Sequence, residues 1–157
     1  MKNNFDYRAY IILGMHDAIV SLTGLIAGLF FAFADKNIII LSCIISSITA
    51  SLSMGAANYL AVKTINKFYA LRAALFTCLS YMITCLFLIL PFFIFYNQNT
   101  AILCVFIITI LIIYFFNFIF YEKSQFARHF YEMLFICFTV SLIAFIIGES
   151  AKIFLGL

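Results

Sequence analysis

Tryptophan is absent from this chain, proline occurs once, and acidic residues number six among 157. A single proline excludes a proline-rich linker or polyproline stalk. Only 10% of the residues are charged and 67% are hydrophobic. That excludes an ordinary soluble domain, which carries about 25% charged and 45–50% apolar residues. The formal charge of +3 gives no indication of nucleic acid, because the basic residues stand singly at the ends of apolar runs. Without tryptophan, tyrosine must furnish any aromatic belt at a membrane interface. The five cysteines are an odd number without paired spacing, which argues against a disulfide framework.

What is present is hydrocarbon in long blocks. Each block runs for about 20 residues or more, enough to cross about 30 Å of bilayer as a helix. The expected fold is an all-α integral membrane protein, a bundle of five transmembrane helices forming a single domain over residues 1–157. The spans are expected at about 10–33, 38–62, 73–96, 101–121 and 133–155. Asp35-Lys36-Asn37 and Asn97-Gln98-Asn99-Thr100 read as turns, and Glu122 to Glu132, with His129, as a solvated cytoplasmic loop. Pro91 falls near the end of span three, where a kink or an early stop is tolerated. Lys2 and Arg8 ahead of the first run give it the look of a signal peptide, but only further spans follow, so it reads as a retained anchor.

Basic residues orient the bundle. Lys2, Arg8, Lys63, Lys67, Arg72, Lys123 and Arg128 fall on one side, Lys36 and Lys152 on the other. The positive-inside rule then places the N-terminus in the cytoplasm and the C-terminus outside it. A bacterial inner membrane is the expected location. Five spans cannot divide into two equal inverted halves within one chain.

Within this apolar background, Asp17 lies about a third of the way along span one. A carboxylate in hydrocarbon costs about 2.5–3.5 kcal/mol on insertion scales and marks an ion or substrate path by default. Asp17, Ser21, Gly24 and Gly28 share a helical stripe, and Gly24 and Gly28 form a small-xxx-small pattern that admits close helix packing. On span two, Ser47, Ser51, Met54 and Asn58 form a second stripe. Met54 offers a thioether and Asn58 an amide oxygen, at a depth of roughly 12 Å that matches Asp17. Oxygen-only shells suit Ca²⁺ and Mg²⁺, whereas a thioether adds softness and favours a transition metal. One Asp, one Met and one amide underfill such an ion; a two-fold homodimer apposing the glycine stripes would double them.

Other polar residues are weaker candidates. His16, about 100° round the helix from Asp17, faces headgroups or a neighbouring helix, with a proton or metal role as the minor reading, and Ser21 is a further weak metal candidate. Glu149 and Lys152 are spaced as an intrahelical pair, with an exit-side role for Glu149 as the alternative. Cys43, Cys78, Cys85, Cys104 and Cys137 read as packing residues. Cys78 and Cys85 share a face, which leaves a soft metal site between them as the minor reading. No Walker loop, catalytic carboxylate pair, His-x-x-Glu cluster or activated serine is present, so an enzyme is not expected.

Gly14-Met15-His16-Asp17-Ala18 through Gly28, with Ser53-Met54-Gly55-Ala56-Ala57-Asn58-Tyr59-Leu60-Ala61-Val62-Lys63, resembles the vacuolar iron transporter family, which includes nodulin-21-like members. The later segments 73–91 and 142–148 are also similar, but only the first two spans carry specific motifs. The resemblance implies five spans with a cytoplasmic N-terminus. It also implies a homodimer that exports Fe²⁺, and often Mn²⁺, from the cytoplasm in exchange for protons. The metal is cargo, and no resident cofactor is expected. The path would run between subunits, with Asp17 and Met54 in the family's lining positions. Three departures stand out: Ala18 replaces the usual Gly, Asn58 the usual Glu, and a short basic segment the acidic cytoplasmic domain of longer members. The loss of that Glu supports an alternative, a degenerate, non-transporting relative or assembly partner that keeps the fold. A channel or carrier for another small cation is a third reading.

Overall fold

Five helices account for almost all of the computed structural model, which describes residues 7–32, 35–121 and 123–155. They are α1 (Arg8–Phe31), α2 (Lys36–Ile65), α3 (Ala70–Ile94), α4 (Gln98–Phe120) and α5 (Lys123–Leu155). All five are long and apolar enough to cross a membrane. The shortest, α4, has 23 residues and extends roughly 34 Å at 1.5 Å per residue. Lys2 and Glu122 lie outside the described residues.

Short connections force sequential helices to run antiparallel. At one end, Val62 of α2 meets Ala70 and Ala73 of α3, with Tyr10 of α1 packed against them. At the other end, Lys36 Nζ at the start of α2 donates to the carbonyl of Phe95, just past α3, at 2.7 Å. Helix α3 is central: it packs extensively on both α2 and α1, while α5 packs along the opposite side of α1. Two buried clusters follow. The larger joins α1, α2, α3 and α4 through Leu22, Ile39, Tyr81, Leu88, Phe92 and Val105. The smaller, nearer the Arg8 end, joins α1, α4 and α5 through Met15, Ile19, Ile113, Phe116, Met133 and Cys137.

Large apolar side chains also cover the outside; Leu41, Leu52, Leu60, Leu86, Phe118 and Phe135 are all exposed. In water such a surface would drive aggregation, and in a bilayer it is the solvent-compatible one. Threonines, buried and exposed alike, satisfy their hydroxyls within their own helices. Thr23, Thr49, Thr77, Thr84, Thr109 and Thr139 each donate to the carbonyl four residues earlier, at 2.6–3.0 Å.

Helix ends differ from the expected boundaries for local reasons. Asp35 is the extended N-cap residue of α2, so Lys36 and Asn37 are already helical. Asn97 caps α4 by accepting from the Asn99 backbone N–H at 3.1 Å. Pro91 is accommodated inside α3, whose backbone continues to Ile94. The solvated loop expected before span five is instead the first turns of α5. There Phe126 and Phe130 pack edge-on against Tyr114 of α4, His129 stacks on Tyr121 at 4.1 Å, and His129 Nδ1 meets Glu132 at 3.6 Å. A helix that emerges from hydrocarbon loses its apolar block but keeps its i,i+3/i+4 contacts.

Candidate functional site

Asp17 sits roughly 14 Å along α1 from Arg8, and Met54 roughly 16 Å from the Ile65 end of α2. The antiparallel arrangement therefore brings them to similar levels. Asp17 is half-buried on α1. Its neighbour Ala18 is fully buried, and Ser21, one turn on, is exposed. Ser21 Oγ donates to the Asp17 backbone carbonyl at 2.6 Å and meets Tyr81 Oη of α3 at 2.7 Å. A serine has one hydroxyl proton, so Tyr81 must be the donor in the second bond. A directed chain Tyr81–Ser21–Asp17 thus ties the carboxylate's own turn of α1 to α3.

Met54 is half-buried and packs against the larger core cluster, which contains Ala18 and Leu22 of α1 together with Tyr81 and Cys85 of α3. Asn58 is also half-buried, but its amide is engaged: Nδ2 donates to Thr77 Oγ1 on α3 at 2.5 Å, and Thr77 donates on to the Ala73 carbonyl at 3.0 Å. Between them, Gly55 allows α3 to close in, since a Cβ there would stand 3.3 Å from the Ala74 carbonyl oxygen. The face with serine, methionine and asparagine is therefore turned towards α3, and α1 and α2 touch each other less.

His16 is half-buried and interacts electrostatically with Asp17 and with Glu132 of α5, so it faces a neighbouring helix. Glu149 is half-buried near the far end of α5, remote in sequence position from the Asp17 level. Gly24 and Gly28 face α5 of the same chain. A Cβ on Gly24 would come 3.1 Å from Val140 Cγ1 and one on Gly28 3.2 Å from the Ala144 carbonyl oxygen; one on Gly148 would lie 2.6 Å from the Gly28 carbonyl oxygen. The small residues thus admit α5 of the same chain, while Gly24 and Gly28 also border a groove beside it. That groove, of ≈ 460 Å³, remains open, with Ser21, Leu25, Leu29 and Ala32 on its α1 wall. Spacing in the sequence could not have chosen between α5 and a second copy as the partner of the glycines, because the pattern reports closeness and not identity.

Among the described residues, no three His, Cys, Asp or Glu side chains converge as a metal cage. One feature escaped sequence reasoning, a fully buried Asn117 on α4. Its Nδ2 donates to the Ile113 carbonyl at 2.8 Å and lies 3.3 Å from Met133 Sδ, while its Oδ1 has no partner.

Five apolar helices long enough to span a bilayer define an integral membrane protein, with a carboxylate and a thioether at similar levels. The VIT family model matches residues 8–71, which cover α1, α2 and the start of α3 and so include Asp17, Met54 and Asn58. The match makes this part of the chain, less than half of its length, similar to the VIT family. No curated protein sequence matches the chain.

Proposed function

We propose that the chain is a carrier that exports Fe²⁺ or Mn²⁺ from the cytoplasm, coupled to proton entry, with Asp17 and Met54 in its path. The family match suggests a membrane metal-ion transporter. The observation that carries the finer reading is the half-exposed Asp17, set in a membrane helix at the level of a thioether. Asp17 supplies charge and a hard oxygen, and Met54 a softer donor that favours transition metals. Protonation of Asp17 would release the ion, which gives the coupling step.

A second copy of the chain completes this site. One carboxylate and one thioether underfill a divalent ion, and a carboxylate half-exposed to hydrocarbon is costly. A homodimer closing over Asp17, Ser21 and Leu25 remedies both. The test is Fe²⁺ and Mn²⁺ flux into proteoliposomes with and without a pH gradient, wild type against Asp17→Asn. Gradient-dependent flux that disappears in the variant is the expected result. Equal flux from both proteins would remove Asp17 from the path.

Asn58 favours a second reading. It stands where the resembling family carries Glu, and its amide is spent on Thr77. In a degenerate relative this pair would serve packing alone, and well-folded wild-type protein would show neither flux nor binding of Mn²⁺.

A further inference from the structure

The connection between α2 and α3 is pinned, yet it turns its largest apolar side chains outward. Asn66 caps α2 in an extended conformation. Its side-chain oxygen accepts from the Phe68 backbone N–H at 3.0 Å, and its own carbonyl accepts from the Tyr69 N–H at 3.2 Å. Val62, Ala70 and Ala73 close the turn from within. Even so, Ile65 is 87% and Phe68 92% exposed. A turn held in this way does not fold such residues out of water, so they mark a surface that meets hydrocarbon.

Four cations surround them. Lys63 stands on the last turn of α2, its Nζ 5.3 Å from the centre of the Tyr59 ring. Lys67 lies in the turn and Arg72 on the first turn of α3, and all three are exposed. Tyr7 stacks on Phe76 at 5.7 Å, which sets Arg8 of α1 beside the same end of α3. No Asp or Glu occurs between Lys36 and Tyr121, so α2, α3 and α4 have no carboxylate of their own to answer this charge. From the cations a track of exposed leucines, Leu71, Leu75 and Leu79, runs along α3 at four-residue spacing, with Arg72 beside it.

We propose that the converging ends of α1, α2 and α3 bind an anionic phospholipid of the phosphatidylglycerol class, in the leaflet at the Arg8 end. Lys67 and Arg72 hold its phosphate, with Lys63 and Arg8 around them, and one acyl chain lies along Leu71, Leu75 and Leu79. The Arg72 guanidinium offers a planar fork that matches two phosphate oxygens, and lysine adds a point charge. A soluble phosphate or an acidic peptide would meet the cations but leave Ile65, Phe68 and the leucines uncovered. A neutral lipid would cover the leucines and gain nothing from the charge. The positive-inside rule accounts for the side these basic residues take, but it asks only for their number. It does not require them to gather from three helix ends around exposed apolar side chains. The site is independent of the Asp17–Met54 path and of any metal transport.

The experiment uses the whole chain purified in detergent. It is mixed with equal amounts of phosphatidylglycerol and phosphatidylcholine of matched acyl chains, and retained lipid is counted by native mass spectrometry. Wild type should retain phosphatidylglycerol in clear preference to phosphatidylcholine. Each basic residue at an anionic surface contributes about fivefold to binding, so Lys67→Gln with Arg72→Gln should lower that retention about 25-fold. Arg128→Gln, which removes an exposed cation of α5 at the same end, should change nothing. The altered side chains are exposed and most basic residues stay at the Arg8 end, so folding and insertion are preserved. Unchanged thermal midpoints check this. Equal retention of the two lipids by wild type would overturn the proposal whatever the variants do. An equal loss on Arg128→Gln would also overturn it, since diffuse surface charge alone would then be acting. Excess glycerol phosphate, the headgroup anion without tails, should fail to displace the lipid; displacement would assign the cluster to a soluble anion and reject the lipid.

Discussion

At the scale of single residues, the polar groups of this chain divide by whether a neighbour has claimed them. Asn58 is claimed by Thr77 and Ser21 by Tyr81, while Asp17 meets His16 and Tyr81 through charge rather than a hydrogen bond. Hydrogen bonds between membrane helices contribute about 0.6 kcal/mol on average and up to about 1.7. Asn58→Ala and Thr77→Val should therefore each destabilise the protein by about 1 kcal/mol, and a double-mutant cycle in denaturation experiments should show them coupled. Asn58→Glu separates the two functional readings. If the protein transports metal, the added carboxylate should tighten Mn²⁺ binding in equilibrium dialysis; in a protein that only packs, it should lower stability without any gain in binding.

At the scale of elements, much was legible because apolar blocks of membrane length leave little freedom of interpretation. The start of α5 was not, since its polar residues look like a loop until Phe126, His129 and Phe130 are seen against α4. Partner identity was equally hidden. Periodicity places Gly24 and Gly28 on one face, but only the assembled bundle shows α5 opposite the glycines. The close contacts predict an order for glycine replacements. Gly14→Ala should be the most damaging, because a Cβ would overlap the Thr77 carbonyl oxygen and Ser80 Oγ. Gly148→Ala follows, against the Gly28 carbonyl oxygen, and Gly24→Ala should be mildest, because it meets side chains, Val140 and Ala144, and no backbone atom. Overpacking of this kind costs about 1–3 kcal/mol, and thermal unfolding in detergent should reproduce the ranking.

At the scale of the whole molecule, the antiparallel helices gather Arg8, Lys63, Lys67, Arg72 and Arg128 at one end and leave Lys36 and Lys152 at the other. If the positive-inside rule governs insertion, alkaline phosphatase fused after Leu157 should be active in a bacterial host, and the same enzyme inserted between Lys67 and Phe68 should be silent. The reverse pattern would invert the proposed direction of transport. Closure over the Asp17 edge predicts a dimer, so mass photometry in nanodiscs should find two copies per particle, and Leu25→Arg should return the protein to single copies.

The threonines that bond back along their own helices carry a different consequence, for how freely the sequence can drift. Apart from Thr77, whose oxygen also accepts from Asn58, each has already spent its proton and shows its surroundings largely a methyl group. Thr23 and Thr109, for example, line a groove of ≈ 500 Å³ that they share with Phe31, Phe106, Phe138 and Phe145. Replacing Thr109 or Thr139 by Val should leave stability within about 0.5 kcal/mol of wild type. Related chains are free to exchange threonine and valine at such sites without altering the oil-facing surface, so letters that look like polarity in this sequence carry almost none into the membrane.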